Sequence, residues 1–170
     1  RSYGGGAQAM LQDIRTVNRK IHAYYPELPL ILMGHSMGSL AVRAFVAEHD
    51  SCVDMLIVCG SPSYNTAMPL GVAIAKTEKA VFGPRHRSKL IETMSFGAGA
   101  MKFRKDKRCT AWICSDPDVA KEYEKSELCG FTFTDDAYLA LFELMKRAYD
   151  VEHFSCTNPD MPVLFVSGAE

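Results

Sequence analysis

The sequence contains no apolar run near the roughly 18 residues that a membrane-spanning helix needs, so no integral membrane segment is expected. Charge of neither sign prevails: 19 basic and 20 acidic residues leave a net charge of −1. That balance gives no global pull toward nucleic acid or an anionic membrane. No CxxC pair is present, and no Cys/His group has zinc-finger spacing. Internal repeats and low-complexity tracts are absent too. The opening RSYGGGAQ has neither a signal-peptide pattern nor the character of a natural N-terminus.

What is present fits an ordinary soluble globular domain, or a large part of one. The 170 residues are 48% hydrophobic and 23% charged, enough for a real core. Six cysteines occur: Cys52, Cys59, Cys109, Cys114, Cys129 and Cys156. They read as reduced thiols, which favours a cytoplasmic location, with a Cys109–Cys114 disulfide as the alternative. Cys59, inside MLIVCG, reads as a buried thiol.

Residues 8–25 place Leu11, Ile14, Val17, Ile21 and Tyr24 at spacings of three and four, one face of an amphipathic helix. Pro26 and Pro29 end it. LPLILMG follows, apolar throughout and of strand length, as expected of a parallel strand buried on both faces. From Met37 to His49 the helical period returns with Leu40, Ala41, Ala44, Phe45 and Ala47. VDMLIVCGSP and the final MPVLFVSGAE are further strand-like runs. Alternating helices and buried strands predict a doubly wound, mostly parallel α/β sheet.

About a hundred residues between the second and third strands are of another kind. TAMPLGVAIAKTEKAVFG is Ala-rich and helical, and HRSKLIETMSFGAGAMKF is apolar and interrupted by Gly97 and Gly99, positions suited to a hinge or a close helix contact. DPDVAKEYEKSE and TDDAYLALFELMKRAYD begin with acidic or hydroxyl residues suited to capping a helix. A crossover needs one helix and this one holds several, so it reads as an inserted helical cap. The expected division is residues 1–62 for the core, 63–155 for the cap and 156–170 for the return to the sheet.

Between the first strand and its helix stands GHSMG, residues 34–38. A G-x-S-x-G sequence at a strand–helix junction holds its serine on a sharp turn with Oγ pushed outward. Ser36 is thus the candidate nucleophile. Gly34 and Gly38 are expected to remove side chains that would collide with neighbouring backbone. The Met37 N–H, at the start of the helix, is the candidate oxyanion donor. His35 is not its base, because adjacent residues at such a turn point apart.

LILMGHSMGSLAVRAF resembles the nucleophile elbow of α/β-hydrolases of the lysophospholipase and monoacylglycerol-lipase type, the serine-aminopeptidase-like branch. KSELCGFTFTDDAYLALFELM is similar to the end of that branch's cap, and MPVLFVSGAE to the strand before the acidic triad member. The resemblance implies a Ser–Asp–His triad in that chain order. Ser36 takes the nucleophile's place and Met37 that of one oxyanion amide. The branch's G-x-x-D pattern begins at Gly168 and puts the acid one position beyond Glu170, with Glu170 itself as the alternative. The triad histidine is expected further on. His22 and His49 read as solvated helix residues, His86 as part of an exposed basic turn, and His153 as out of order for the base. The chain is therefore expected to be an internal segment of a hydrolase of about 250 to 300 residues, missing the strands that carry the second oxyanion amide.

The resemblance further implies acyl transfer to water through an acyl-enzyme on Ser36, with no metal or cofactor. The partner is a small-molecule ester or lipid with an apolar acyl chain, of the monoacylglycerol or lysophospholipid type. An amidase or peptidase is the alternative within enzymes, and a non-catalytic binding protein of the same fold the alternative outside them. Met68, Leu70, Val72, Ile74, Val81, Phe82, Leu90, Ile91, Met94, Phe96 and Met101 could line an acyl-chain tunnel or form the cap's own core. The basic run KFRKDKR, 102–108, reads as a solvated loop, or as a weak contact with a lipid surface.

Overall fold

The computed structural model describes residues 4–102 and 113–168, without the side chains of 96–102. Most of the basic run, Cys109, the Phe96 and Met101 side chains and Glu170 lie outside the described residues. The elements are α1 (Gly6–Tyr24), β1 (Ile31–His35), α2 (Met37–His49), β2 (Met55–Cys59), α3 (Met68–Phe82), α4 (Lys89–Lys102), α5 (Pro117–Lys125), α6 (Asp135–Ala148) and β3 (Val163–Val166). The three strands form one sheet in the order β1-β2-β3, parallel at both pairings. Each strand–helix alternation in the sequence thus appears as an α/β unit. Helix α4 runs on through Gly97 and Gly99.

The chain separates into two compact units, Pro69–Tyr138 and the rest. In the sheet unit, Val42 of α2 packs with Leu56 and Val58 of β2, and Leu32, Val46 and Met161 surround them. Leu40, Ala44 and Phe45 are fully buried along α2. Two aspartates lock the backbone. Asp54 accepts a hydrogen bond from Leu30 N at 2.7 Å while its own N–H donates to Leu30 O, fixing the register of β1 on β2. Asp50, in a short 3₁₀ turn after α2, accepts from Thr157 N at 2.6 Å, from Asn158 N at 2.8 Å and from the Thr157 hydroxyl. It thereby ties the segment before β3 to the end of α2. The Thr157 hydroxyl above all, with these backbone amides, holds the Asp50 carboxyl below the usual carboxylate range against the opposing effect of burial.

The expectation of burial on both faces, made for LPLILMG, is not met by β1 in the described sheet, nor by β3. Only β2 approaches it: Leu56 and Val58 are buried and the residues between them half-buried. Ile31 and Met33 of β1 are 54% and 59% exposed, and all four residues of β3 are exposed. β1 and β3 are the outer strands of the described sheet, and α2 packs against β1 and β2. Helix α1 is likewise half covered: Ala7 and Leu11 are buried, whereas Val17, Ile21 and Tyr24 are exposed.

The second unit holds α3, α4, α5 and the first turn of α6. Its buried residues include Ala75, Ile91, Ala120 and Tyr138. Asp116 caps α5 by accepting from Asp118 N and Val119 N, with Pro117 in the first turn where its missing N–H costs nothing. Thr134 Oγ1 accepts from Ala137 N and caps α6, and Ser88 Oγ accepts from Ile91 N at the start of α4.

Candidate active site

Ser36 stands between the last residue of β1 and the first of α2. Its backbone has φ 52° and ψ −121°, and it is the one non-glycine residue with positive φ among the described residues. A side chain held in such a region costs about 1–3 kcal/mol and persists where the surroundings over-determine it. Here they do. Ser36 N donates to Cys59 O at 3.0 Å, one step past the β1–β2 ladder. Ser36 O accepts from both the N–H and the hydroxyl of Ser39. The side chain is left exposed, and among the described residues its Oγ has no hydrogen-bond partner.

Gly34 is required by the turn. A β-carbon there would meet Gly38 O at 2.3 Å and Val42 Cγ2 at 2.6 Å. The same reason does not hold for Gly38, where a β-carbon meets no described atom within 4 Å. The expected collision at Gly38 is therefore corrected: Gly38 supplies the backbone that Gly34 must clear. Met37 opens α2, so its N–H belongs to the first turn and has no intrahelical acceptor. It shares that end of the helix with the positive pole of the macrodipole.

The strand ends put Ser36 at the carboxyl edge of the described sheet. His35 pairs with Cys59 and Cys59 with Val166, so the three strands finish level. Gly60 N donates to Val166 O at 2.8 Å, extending the ladder by one step. The residues after Val166 leave the sheet at the same edge as Ser36. In parallel α/β sheets ligands bind at this carboxyl edge.

The segment after β2 is braced from α2. Arg43 donates to Ser61 Oγ at 3.1 Å and to Ala148 O at 2.9 Å, with its guanidinium 4.2 Å from the centre of the Tyr149 ring. Tyr149 Oη in turn donates to Pro62 O at 2.8 Å. Nothing in the sequence marks Arg43 for this, because its partners lie up to 105 residues away. A cavity of about 450 Å³ opens beside the elbow between α1, β1 and α2. Its walls are mostly apolar and reach Met37 and Gly38, with Asp13 and Asn18 as polar members.

The described histidines are engaged elsewhere. The His35 ring lies against Gly60, 3.3 Å from where a β-carbon on that glycine would stand. His22 Nε2 lies 3.1 Å from Cys52 O, which also accepts from Asn18. His49 packs edge-on against Phe45, and exposed His153 pairs with Asp150 at 2.8 Å. The reading of His86 as part of an exposed turn is corrected: it is half-buried, with Nδ1 3.1 Å from fully buried Asp135. The basic neighbours Arg85 and Arg87 disguised it.

The whole sequence, residues 1–170, matches the family described as serine aminopeptidase, S33. No match was found among curated proteins. Among solved structures, the chain is similar to a highly thermostable carboxyl esterase from Bacillus coagulans, with TM-score 0.74 and 23% identity over 84% of this chain and 46% of that one. It is similar to a lipase in an open form, with TM-score 0.79 and 19% identity over 94% and 53% of the two chains. A monoacylglycerol lipase from Paleococcus ferrophilus gives TM-score 0.59 and 17% identity over 99% and 56%. At these identities the likeness is one of fold, and the chain spans about half the length of these solved relatives. On its sequence match and its strand–serine–helix turn alike, the chain belongs to the S33 serine aminopeptidase family of α/β-hydrolases.

Proposed function

We propose that this chain carries the nucleophile of a serine hydrolase that cleaves carboxylic esters with an apolar acyl chain, of the monoacylglycerol or lysophospholipid type. The observation that carries the reading is the strained backbone of Ser36 at the carboxyl edge of a parallel sheet. Strain of this kind gathers at functional positions. The fold shared with a carboxyl esterase and two lipases supports the ester class.

In this mechanism Ser36 Oγ attacks the ester carbonyl carbon. An imidazole outside the described residues takes the Oγ proton and gives it to the leaving alcohol. The Met37 N–H and a second amide hold the oxyanion, each contributing roughly 10² to 10³ in turnover. Water then attacks the acyl-enzyme by the same route in reverse. The triad acid follows β3, whose end lies level with Ser36. Residues 63–155 act as the cap that selects the acyl chain. The exposed apolar side chains of Leu70, Val81, Phe82, Leu90 and Met94 support this role.

The family's description favours a second reading, an aminopeptidase or amidase using the same serine. One experiment separates the two. The intact protein is assayed on p-nitrophenyl esters of rising chain length and on aminoacyl p-nitroanilides, with Ser36→Ala as control. The proposal predicts ester turnover that rises with chain length and falls by about 10⁴ to 10⁶ in Ser36→Ala. Turnover of the anilides alone would select the peptidase. A folded protein with no turnover on either would mark a binding protein.

A further inference from the structure

The unit Pro69–Tyr138 contains a buried carboxylate that its neighbours leave half unmet. Asp135 opens α6, and its side chain is 0% exposed. Its Oδ2 lies 3.1 Å from His86 Nδ1. Its Oδ1 is buried and has no hydrogen-bond partner among the described residues. Glu78 Oε2, on α3, is also buried without a hydrogen-bond partner, and it lies 3.9 Å from the same His86 nitrogen. One ligating atom from each of the three residues falls within 4.8 Å of the other two. They come from three segments: α3, the turn before α4, and the start of α6.

A buried carboxylate oxygen left unpaired is costly, and two in one place are costlier. Lys79 does not relieve them, because it pairs with Asp136. Positive charge is what the cluster needs. We propose that Glu78, His86 and Asp135 bind a divalent first-row cation of the zinc class. Two carboxylate oxygens and one imidazole nitrogen suit such a cation better than calcium or magnesium, which take oxygen ligands.

The geometry is close to what binding needs. Ligands about 2.0–2.2 Å from a tetrahedral zinc lie roughly 3.4 Å apart. The two separations from His86 Nδ1, 3.1 Å to Asp135 and 3.9 Å to Glu78, bracket that distance, and the three ligating atoms all lie within 4.8 Å of one another. The scaffold is already clamped, since Asp135 N donates to His86 O at 2.9 Å. The His86 ring is held by Phe82, with ring centres 4.8 Å apart. Three protein ligands leave a fourth position for water. The cation would tie α3, the turn and α6 together, a structural cross-link that does not depend on the hydrolase reading.

The intact protein, freed of metal with a chelator and dialysed, is titrated with Zn²⁺ by calorimetry and with Co²⁺ by optical absorption. The expected result is one equivalent of Zn²⁺ bound with Kd of about 1 μM or tighter. The Co²⁺ spectrum should show oxygen and nitrogen ligands without a thiolate charge-transfer band. His86→Ala and Asp135→Asn should each weaken binding by at least about 100-fold, and Glu78→Gln by at least about tenfold. Glu78→Gln keeps the side-chain shape at a partly exposed position, so it serves as the test if Asp135→Asn does not fold. Failure to bind, unchanged affinity in Glu78→Gln and His86→Ala, or a thiolate band from the cysteines would overturn the assignment. So would a metal-free Asp135→Asn more stable than the wild type together with no Zn²⁺ effect on either, which would mean that the carboxylates share a proton.

Discussion

Gly34 and the carbonyl of Gly38 touch backbone to backbone, so that a β-carbon on Gly34 would stand 2.3 Å from that oxygen. The strand entering the turn and the helix leaving it are in contact at this point, and Ser36 is the residue caught between them. The two glycines of GHSMG therefore have different tasks.

That difference predicts different stabilities. Gly34→Ala must push β1 away from α2 and Val42, and overpacking of this kind costs about 3 kcal/mol or more. Gly38→Ala places its methyl group in open space on a helix, where alanine exceeds glycine in propensity by up to about 1 kcal/mol. Denaturant unfolding of the intact protein should show the first strongly destabilised and the second unchanged or stabilised. Equal losses would mean that the clash at Gly34 is relieved by relaxation.

Ser36 should gain stability where it loses chemistry. Glycine adopts positive φ freely, whereas alanine keeps the strain that serine has. Ser36→Gly is expected to be roughly 1–2 kcal/mol more stable than Ser36→Ala, although both lack the hydroxyl. Matching thermal midpoints for the two variants would show that the turn holds no strain.

Asp50 should make stability depend on acid. Its folded carboxyl titrates below the unfolded value of about 3.9. The stabilisation it contributes is therefore present above that pH and is lost as pH falls through the folded value. Asp50→Asn should cost roughly 2 kcal/mol at neutral pH, the worth of hydrogen bonds to a charged group. The gap between variant and wild type should stay constant above about pH 4 and close as the pH is lowered further. A gap that stays constant or widens in acid would count against an ionised Asp50 holding Thr157 and Asn158.

The elbow was legible because its signal is local. An apolar run, G-x-S-x-G and a helical period follow one another within 20 residues, and the strained turn falls at the serine. The helices of the second unit were legible for the same reason, from Asp116 and Thr134 at their starts. Exposure of β1 and β3 was not. An apolar run reports what a strand can bury, whereas exposure depends on what packs against it. The pairing of His86 with Asp135 spans 49 positions and that of Asp50 with Thr157 spans 107. Contacts at such separations leave no period in a single sequence. Nor does the arginine at 43 differ in sequence from any other charged helix residue, although it braces the segment after β2.

The central claim is that Ser36 is an activated nucleophile, and a fluorophosphonate probe tests it most directly. Such a probe reacts with serines whose hydroxyl is activated by a base and whose oxyanion is stabilised. The intact protein is labelled, digested and mapped by mass spectrometry. The account predicts one phosphonylated peptide containing GHSMG, modified at Ser36, and no labelling in Ser36→Ala. Labelling at a different serine, or labelling that persists in Ser36→Ala, would contradict it.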